Sequence, residues 1–227
     1  MTGKAYEARA QVPPEHYGLG YDSPQRWINY GLQVRTVLEC CPQTVLEVGL
    51  GNGTVTALLR RRGLDVTTLD IDERLGSDLV GSVHTLTDAV PPKSFDLVLC
   101  AEVLEHLPFD MLPCCVRELA AVARRHVVIG LPGFLREQRW GIAVELRLPR
   151  FRRAVKLGMD YPLPEWPGPD SEHYWSADHK PYTLRTIIKQ IERHVVVERV
   201  LRERLDPYHV ILACRPLAAG QADGTKG

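Results

Sequence analysis

The sequence predicts an α/β fold: a doubly wound sheet, mostly parallel, with an antiparallel C-terminal strand and helices on both faces. Three observations carry this. Short apolar runs alternate with helical stretches from residue 24 to residue 132, the pattern of successive β–α–β units. The first run, TVLEVGL, opens into closely spaced glycines, as a buried strand does where it turns into a helix. The last two runs, VVVERVLRERL and YHVILACRP, are joined by Asp206-Pro207, and so short a connection requires an antiparallel pair.

The elements follow in order. Ser23-Pro24 is a helix start, with serine as N-cap and proline in the first turn, and the helix is predicted over Pro24–Glu39. Pro42 blocks its continuation. TVLEVGL is the first strand, and TVTALLRRRG a helix closed by Gly63. DVTTLDID and DLVGSV are the second and third strands. FDLVLCAEV is the fourth, running into a helix predicted through EHLPFDMLPCCVRELAAVARR. HVVIGLP is the fifth, stopped by Pro132. Residues 134–175 break the rhythm, basic in their first half and proline-rich in their second. They are read as a cap insertion over one end of the sheet. TLRTIIKQIERH then restores a helix. The expected organisation is one domain over 1–217, with an N-terminal lid at 1–43 and a polar, disordered tail at 218–227. No internal repeat is visible.

Composition narrows the class. At 227 residues the chain fills one core, and 44% hydrophobic with 25% charged residues is an ordinary globular balance. The formal net charge is zero, and there is no RNA-recognition motif or basic stripe, so nucleic acid is not the expected partner. No run approaches the ~20 apolar residues of a membrane span, and MTGKAYEARAQVPPEHYG lacks a signal-peptide core. A cytoplasmic protein is expected. None of the six cysteines stands in a C-x-x-C pair, so they read as free thiols.

The chemistry centres on residues 45–54, VLEVGLGNGT. Glycines at 49, 51 and 53 let a ligand approach the backbone where the strand turns. A dinucleotide loop would read G-x-G-x-x-G/A, but counting from Gly49 the last position is Thr54. Glu47, just before the loop, would repel a pyrophosphate. It would favour the amino group and sulfonium of S-adenosylmethionine (SAM). Asp70 ends the second strand, 21 residues after Gly49, where a carboxylate can accept both hydroxyls of a ribose. NAD enzymes place an acid there too, so Asp70 signals a nucleoside without choosing one.

VLEVGLGNG, VTTLDID, GSV and SFDLVLCAEVLEHLP, in that order, resemble the motif set of class I SAM-dependent methyltransferases, a Rossmann-like fold. The resemblance is greatest to the large bacterial group whose fourth strand runs into V-L-E-H, and spans roughly 26–216. It implies SAM as cofactor. Glu47, Gly49, Gly51 and Gly53 would surround its methionine part. Asp70 would bind the ribose and Ile71 pack on the adenine. Ser82 and Val83 would read the adenine edge, where many relatives have aspartate in place of Ser82. Ala101 and Glu102 would lie beside the sulfur.

Glu102-Val-Leu-Glu105-His106 would share one face of a helix. His106, Glu105 and His173 are the catalytic candidates, as proton handlers. Some ubiquinone-pathway O-methyltransferases and small-RNA methyltransferases use a similar set for metal, so Glu102, Glu105 and His106 are the alternative ligands of a divalent ion. A metal is not the expected cofactor, since V-L-E-H also occurs where none is needed. His16, Tyr17, Tyr21, Arg26 and Trp27, with Tyr174, Trp175, His179 and Tyr182, either line the acceptor pocket or pack the lid. Tyr208-His209 is read as packing within a strand pair. Arginines 136, 139, 147, 150, 152 and 153, with Lys156, form either a solvated helix face or a surface for an anionic acceptor or membrane across 136–156.

The expected function is methyl transfer to an O, N or C nucleophile of a small molecule or a glycan- or lipid-linked intermediate. The alternatives are a nucleotide-dependent oxidoreductase and a catalytically silent SAM-fold partner protein. The acceptor and the oligomeric state are not legible.

Overall fold

The computed structural model describes residues 9–10, 12–18, 20–133, 141–148, 151–158, 173–177, 179–203 and 208–218. Helix α1 (Pro24–Glu39) begins as its sequence dictates. Ser23 is the N-cap, its hydroxyl accepting from the Arg26 N–H at 3.3 Å, with Pro24 in the first turn. There follow β1 (Thr44–Val48), α2 (Thr54–Arg61), β2 (Asp65–Asp70), β3 (Leu79–Val80), α3 (Leu86–Ala89) and β4 (Phe95–Ala101). Then come α4 (Leu112–Val122), β5 (Ala123–Pro132), β6 (Gly141–Leu148), β7 (Phe151–Gly158), α5 (Leu184–Ile191), β8 (Val195–Leu201) and β9 (His209–Pro216).

Seven strands form one sheet in the order β3-β2-β1-β4-β5-β9-β8. Only β9 runs against the rest, antiparallel to both β5 and β8. The central strands are apolar on both faces because both faces are covered. Val45, Leu97, Leu99 and Val128 pack toward Leu32 and Val37 of α1 and Leu59 of α2. Leu46, Val98, Cys100 and Ile129 point the other way, toward Cys115, Val116 and Leu119 of α4 and Ile187 and Ile191 of α5. Each such side chain contributes roughly 1.5–3 kcal/mol by burial. The chain proceeds outward from β1 in one direction and from β4 in the other. The crevice beyond the carboxyl ends of β1 and β4 is therefore the topological switch point, where open α/β sheets bind ligands.

Two regions depart from the sequence reading. No helix runs on from β4: two single 3-10 turns, Leu104–His106 and Phe109–Met111, precede α4. Pro108 explains the break, because a proline cannot donate within a helix and disfavours it in the residue before. β5 starts at Ala123, directly after α4, rather than at His126. In the basic stretch, β6 and β7 form an antiparallel hairpin, with Leu148 opposite Phe151. A basic helix face is thus excluded, and Pro149 would have stood in its interior. Arg136, Arg139, Arg150, Asp206-Pro207 and nearly all of the tail lie outside the described residues. The six cysteines are free thiols. Among the described residues, no helix is long and apolar enough to cross a membrane.

Candidate cofactor and acceptor cleft

The switch-point crevice is a cleft of about 1130 Å³ including its open mouth. β1 brings Glu47, Val48 and the glycine loop to it. β2 brings Asp70 and Ile71, the turn after β3 brings Ser82 and Val83, and β4 brings Ala101 and Glu102. Of the ten residues expected to hold a cofactor, Gly53 alone does not line it. Gly53 caps α2 instead, at φ 72°.

The loop is shaped by backbone and side-chain constraints together. Gly49 has φ 88°, and a Cβ there would lie 2.3 Å from Val103 Cγ2. Only glycine fits that position. Asp70 fastens the loop, its Oδ2 accepting from the Leu50 N–H at 2.7 Å and its Oδ1 from the Asp72 N–H at 2.9 Å. Each carboxylate oxygen keeps a second lone pair for a ribose hydroxyl. Ser82 Oγ lies 2.7 Å from His84 Nδ1, so its hydroxyl is engaged within its own turn.

Glu47 is buried, and the Thr56 hydroxyl donates to its carboxylate. Burial pushes its carboxyl up to about 7, against the opposing pull of that hydrogen bond. In the ligand-free protein this favours the neutral acid. The associated stability is present at low pH and is lost as pH rises through about 7.

Helix α1 contributes a polar stripe of which the sequence reading named only Arg26. Arg26, Asn29, Tyr30 and Gln33 all line the cleft, and their i, i+3, i+4, i+7 spacing was the signal. Asp22 Oδ1 accepts from both Tyr30 Oη (2.9 Å) and Asn52 Nδ2 (2.8 Å), which ties this segment to the glycine loop. Tyr17 and Tyr21 close one side, their rings 5.0 Å apart. The Arg26 guanidinium lies over the Tyr21 ring at 3.7 Å. Burial, with Tyr21 beside it, pushes the Tyr17 phenol up to about 12, so it stays neutral. Trp27 is half exposed and does not line the cleft.

The expected E-x-x-E-H helix face does not exist. Glu102 sits at φ 55°, in the left-handed region, and its side chain meets His209, with Oε2 3.6 Å from Nε2. Glu105 and His106 lie on the following 3-10 turn and gather with His173, one ligand-type atom from each lying within 4.8 Å of the others. The His106 and His173 rings stack at 5.0 Å. His106 lines the cleft; Glu105 is fully buried, and among the described residues neither of its carboxylate oxygens has a hydrogen-bond partner. Burial, reinforced by Glu102, holds the Glu105 carboxyl well above the usual range.

Of the second aromatic group, Trp175 is core rather than pocket. It is fully buried, donates from Nε1 to the Leu107 carbonyl at 3.0 Å, and packs against Phe109, as does Tyr182. His179 is buried as well.

Comparison with known proteins fits this geometry. Residues 46–129 match the family model described as a methyltransferase domain. The matched stretch runs from β1 into β5 and includes the glycine loop and Asp70. A ubiquinone biosynthesis O-methyltransferase of Xanthomonas euvesicatoria pv. vesicatoria (strain 85-10) is 34% identical over 33% of this chain and 37% of its own length. The chain thus spans about a third of the length of the curated relatives it matches. Two solved structures share the fold of the domain at low identity. The PH0226 protein of Pyrococcus horikoshii OT3 has a TM-score of 0.58 at 13% identity, covering 89% of this chain and 96% of its own. The Burkholderia thailandensis 1,6-didemethyltoxoflavin-N1-methyltransferase, solved with S-adenosylhomocysteine (SAH), has a TM-score of 0.55 at 15% identity, covering 90% and 85%.

Proposed function

We propose that this chain transfers a methyl group from SAM to a small-molecule acceptor. The single observation that carries the reading is the Gly49 loop, with no room for a Cβ, fastened to the Asp70 carboxylate at the mouth of the switch-point cleft. SAM supplies a methyl group on a sulfonium, already a good leaving group. The protein's work is then to hold the acceptor in line and to exclude water. Asp70 and Ile71 would seat the nucleoside, and Glu47 would face the amino end. Tyr17, Tyr21 and Arg26 would close over the acceptor side. Lipid- or glycan-linked acceptors stay within this reading, through the segment 134–175.

Calorimetry with SAH against NAD+ tests it. SAH is expected to bind and NAD+ not, whereas binding of NAD+ alone would restore the oxidoreductase reading. A cation beside Glu47 favours the ionised carboxylate. SAH affinity should therefore rise about tenfold from pH 6 to pH 8, following the ionised fraction of a group near 7. The E47Q variant should lose that dependence; a pH dependence unchanged in E47Q would remove Glu47 from the site.

A second reading is favoured by the gathered Glu105, His106 and His173 and the unpartnered Glu105 carboxyl. This set, rather than Glu102, Glu105 and His106, would hold a divalent ion, whose Lewis acidity would acidify an acceptor hydroxyl. EDTA should then abolish methyl transfer and Mg2+, Mn2+ or Zn2+ restore it. Indifference to EDTA discards the metal and leaves the three as supports of the cleft floor.

A further inference from the structure

We propose that Asp22 latches the stretch around Tyr17 and Tyr21 to the glycine loop, and that this latch governs how fast the methyl donor enters and SAH leaves. The inference rests on the methyltransferase reading and adds a gate to it.

The stretch lies across the mouth of the cleft. Val12, Tyr17 and Tyr21 all line it. The 3-10 turn Pro14–Tyr17 carries the Tyr17 ring over the loop, with Cε1 3.6 Å from where a Cβ on Gly51 would stand. The charges of Asp70 and Asp72 both bear on the Tyr17 phenol. Tyr17 therefore reaches from the loop after β1 toward the acids at the end of β2. A donor with its ribose on Asp70 is enclosed beneath it, and so long as the stretch stays down neither entry nor exit is open.

A few contacts hold the stretch down. The rings of His16, Tyr17 and Tyr21 meet one another edge-on, 5.0 to 5.3 Å apart. Tyr21 Oη accepts from Arg26 Nη1 at 2.7 Å, which anchors this cluster on α1. Asp22 makes the link to the loop. Its Oδ1 accepts from Asn52 Nδ2 at 2.8 Å and from Tyr30 Oη at 2.9 Å. Asn52 belongs to the loop, and its own Oδ1 accepts from the Thr54 N–H at 3.1 Å, where α2 begins. One carboxylate oxygen thus joins the stretch, α1 and the loop. Among the described residues, no other side-chain hydrogen bond connects residues 12–22 with residues 49–54.

The consequence is kinetic. The groups of the latch are all the protein's own, so it holds the same closed arrangement with or without a donor beneath. Breaking it enlarges the open fraction of the free protein, and entry quickens. Breaking it also speeds the opening of the filled cleft, and exit quickens. Affinity is the ratio of the two rates and changes far less than either. Lid opening of this kind sets product release in many enzymes.

The test times the binding of methyl-tritiated SAM to the full chain, and its chase by unlabelled SAH, by rapid filtration. SAH calorimetry runs alongside. D22A removes the shared acceptor. N52D keeps the Thr54 contact and sets a carboxylate against Asp22. Each should raise both rates about tenfold, the worth of one hydrogen bond to a charged group, with SAH affinity nearly unchanged. The double variant D22A/N52A should be no faster than D22A, because both changes remove the same bond. Unchanged rates in D22A and N52D overturn the latch. So does faster exit with slower entry, the mark of a damaged site. If the wild-type chain binds neither SAM nor SAH, the donor reading itself fails, and the latch with it.

Discussion

The variant G49A is expected to lose SAH affinity on the order of 100-fold. Two costs add. An alanine at φ 88° is strained by roughly 1–3 kcal/mol, and its Cβ would stand 2.3 Å from Val103 Cγ2, an overpacking cost of typically 1–3 kcal/mol. The loop can relieve both only by moving, and Asp70 holds it through the Leu50 N–H. Gly63 supplies the control. It has φ 82° but nothing within 4 Å of its added Cβ. G63A should therefore cost stability and spare affinity. The double variant G49A/V103A removes the clash and keeps the strain, so it should recover part of the lost affinity. Calorimetry decides, and an unchanged SAH affinity in G49A would show that the loop is not what the ligand rests on.

The largest stability effect is expected at Trp175. Its side chain is fully buried against Phe109, and its Nε1 donates to the Leu107 carbonyl. W175A should cost about 3–5 kcal/mol from the lost side chain. A further ~1–3 kcal/mol comes from the carbonyl left unpaired in the interior. Urea unfolding followed by circular dichroism measures the sum. The same segment braces the cleft, since the Tyr174 N–H donates to the Glu105 carbonyl at 2.8 Å. Loss of stability should thus come with loss of order around His106 and His173. W175F, which keeps the ring bulk and drops only the donor, separates the two costs.

The residues that were legible in the sequence are those whose structure is set locally. α1 matches its predicted bounds because Ser23, Pro24 and Pro42 act within a turn of themselves. β1, β2 and β4 were legible because a strand covered on both faces must be apolar throughout. The glycine loop and Asp70 were legible because spacing alone places them at one edge. What sequence left hidden is set by contacts distant along the chain. The turn after Ala101 looked helical, and nothing in E-x-x-E-H announces a residue at φ 55°. That conformation depends on the Gly130 carbonyl and on the missing Cβ of Gly130. Trp175 looked like part of a cap and is core because Phe109 and Leu107 meet it there. His209 looked like strand packing, and its partner is 107 positions away in the sequence. The hairpin of β6 and β7 was obscured by its arginines, which drew attention to charge rather than to Pro149.

Where the donor sits decides what the cleft does. A structure of the chain with SAH bound tests that most directly. It should show the ribose hydroxyls on the Asp70 carboxylate, the methionine portion along the loop from Gly49 to Asn52, and the sulfur toward Ala101 and Glu102. SAH bound elsewhere, or seated in the cleft with its ribose away from Asp70, would contradict it.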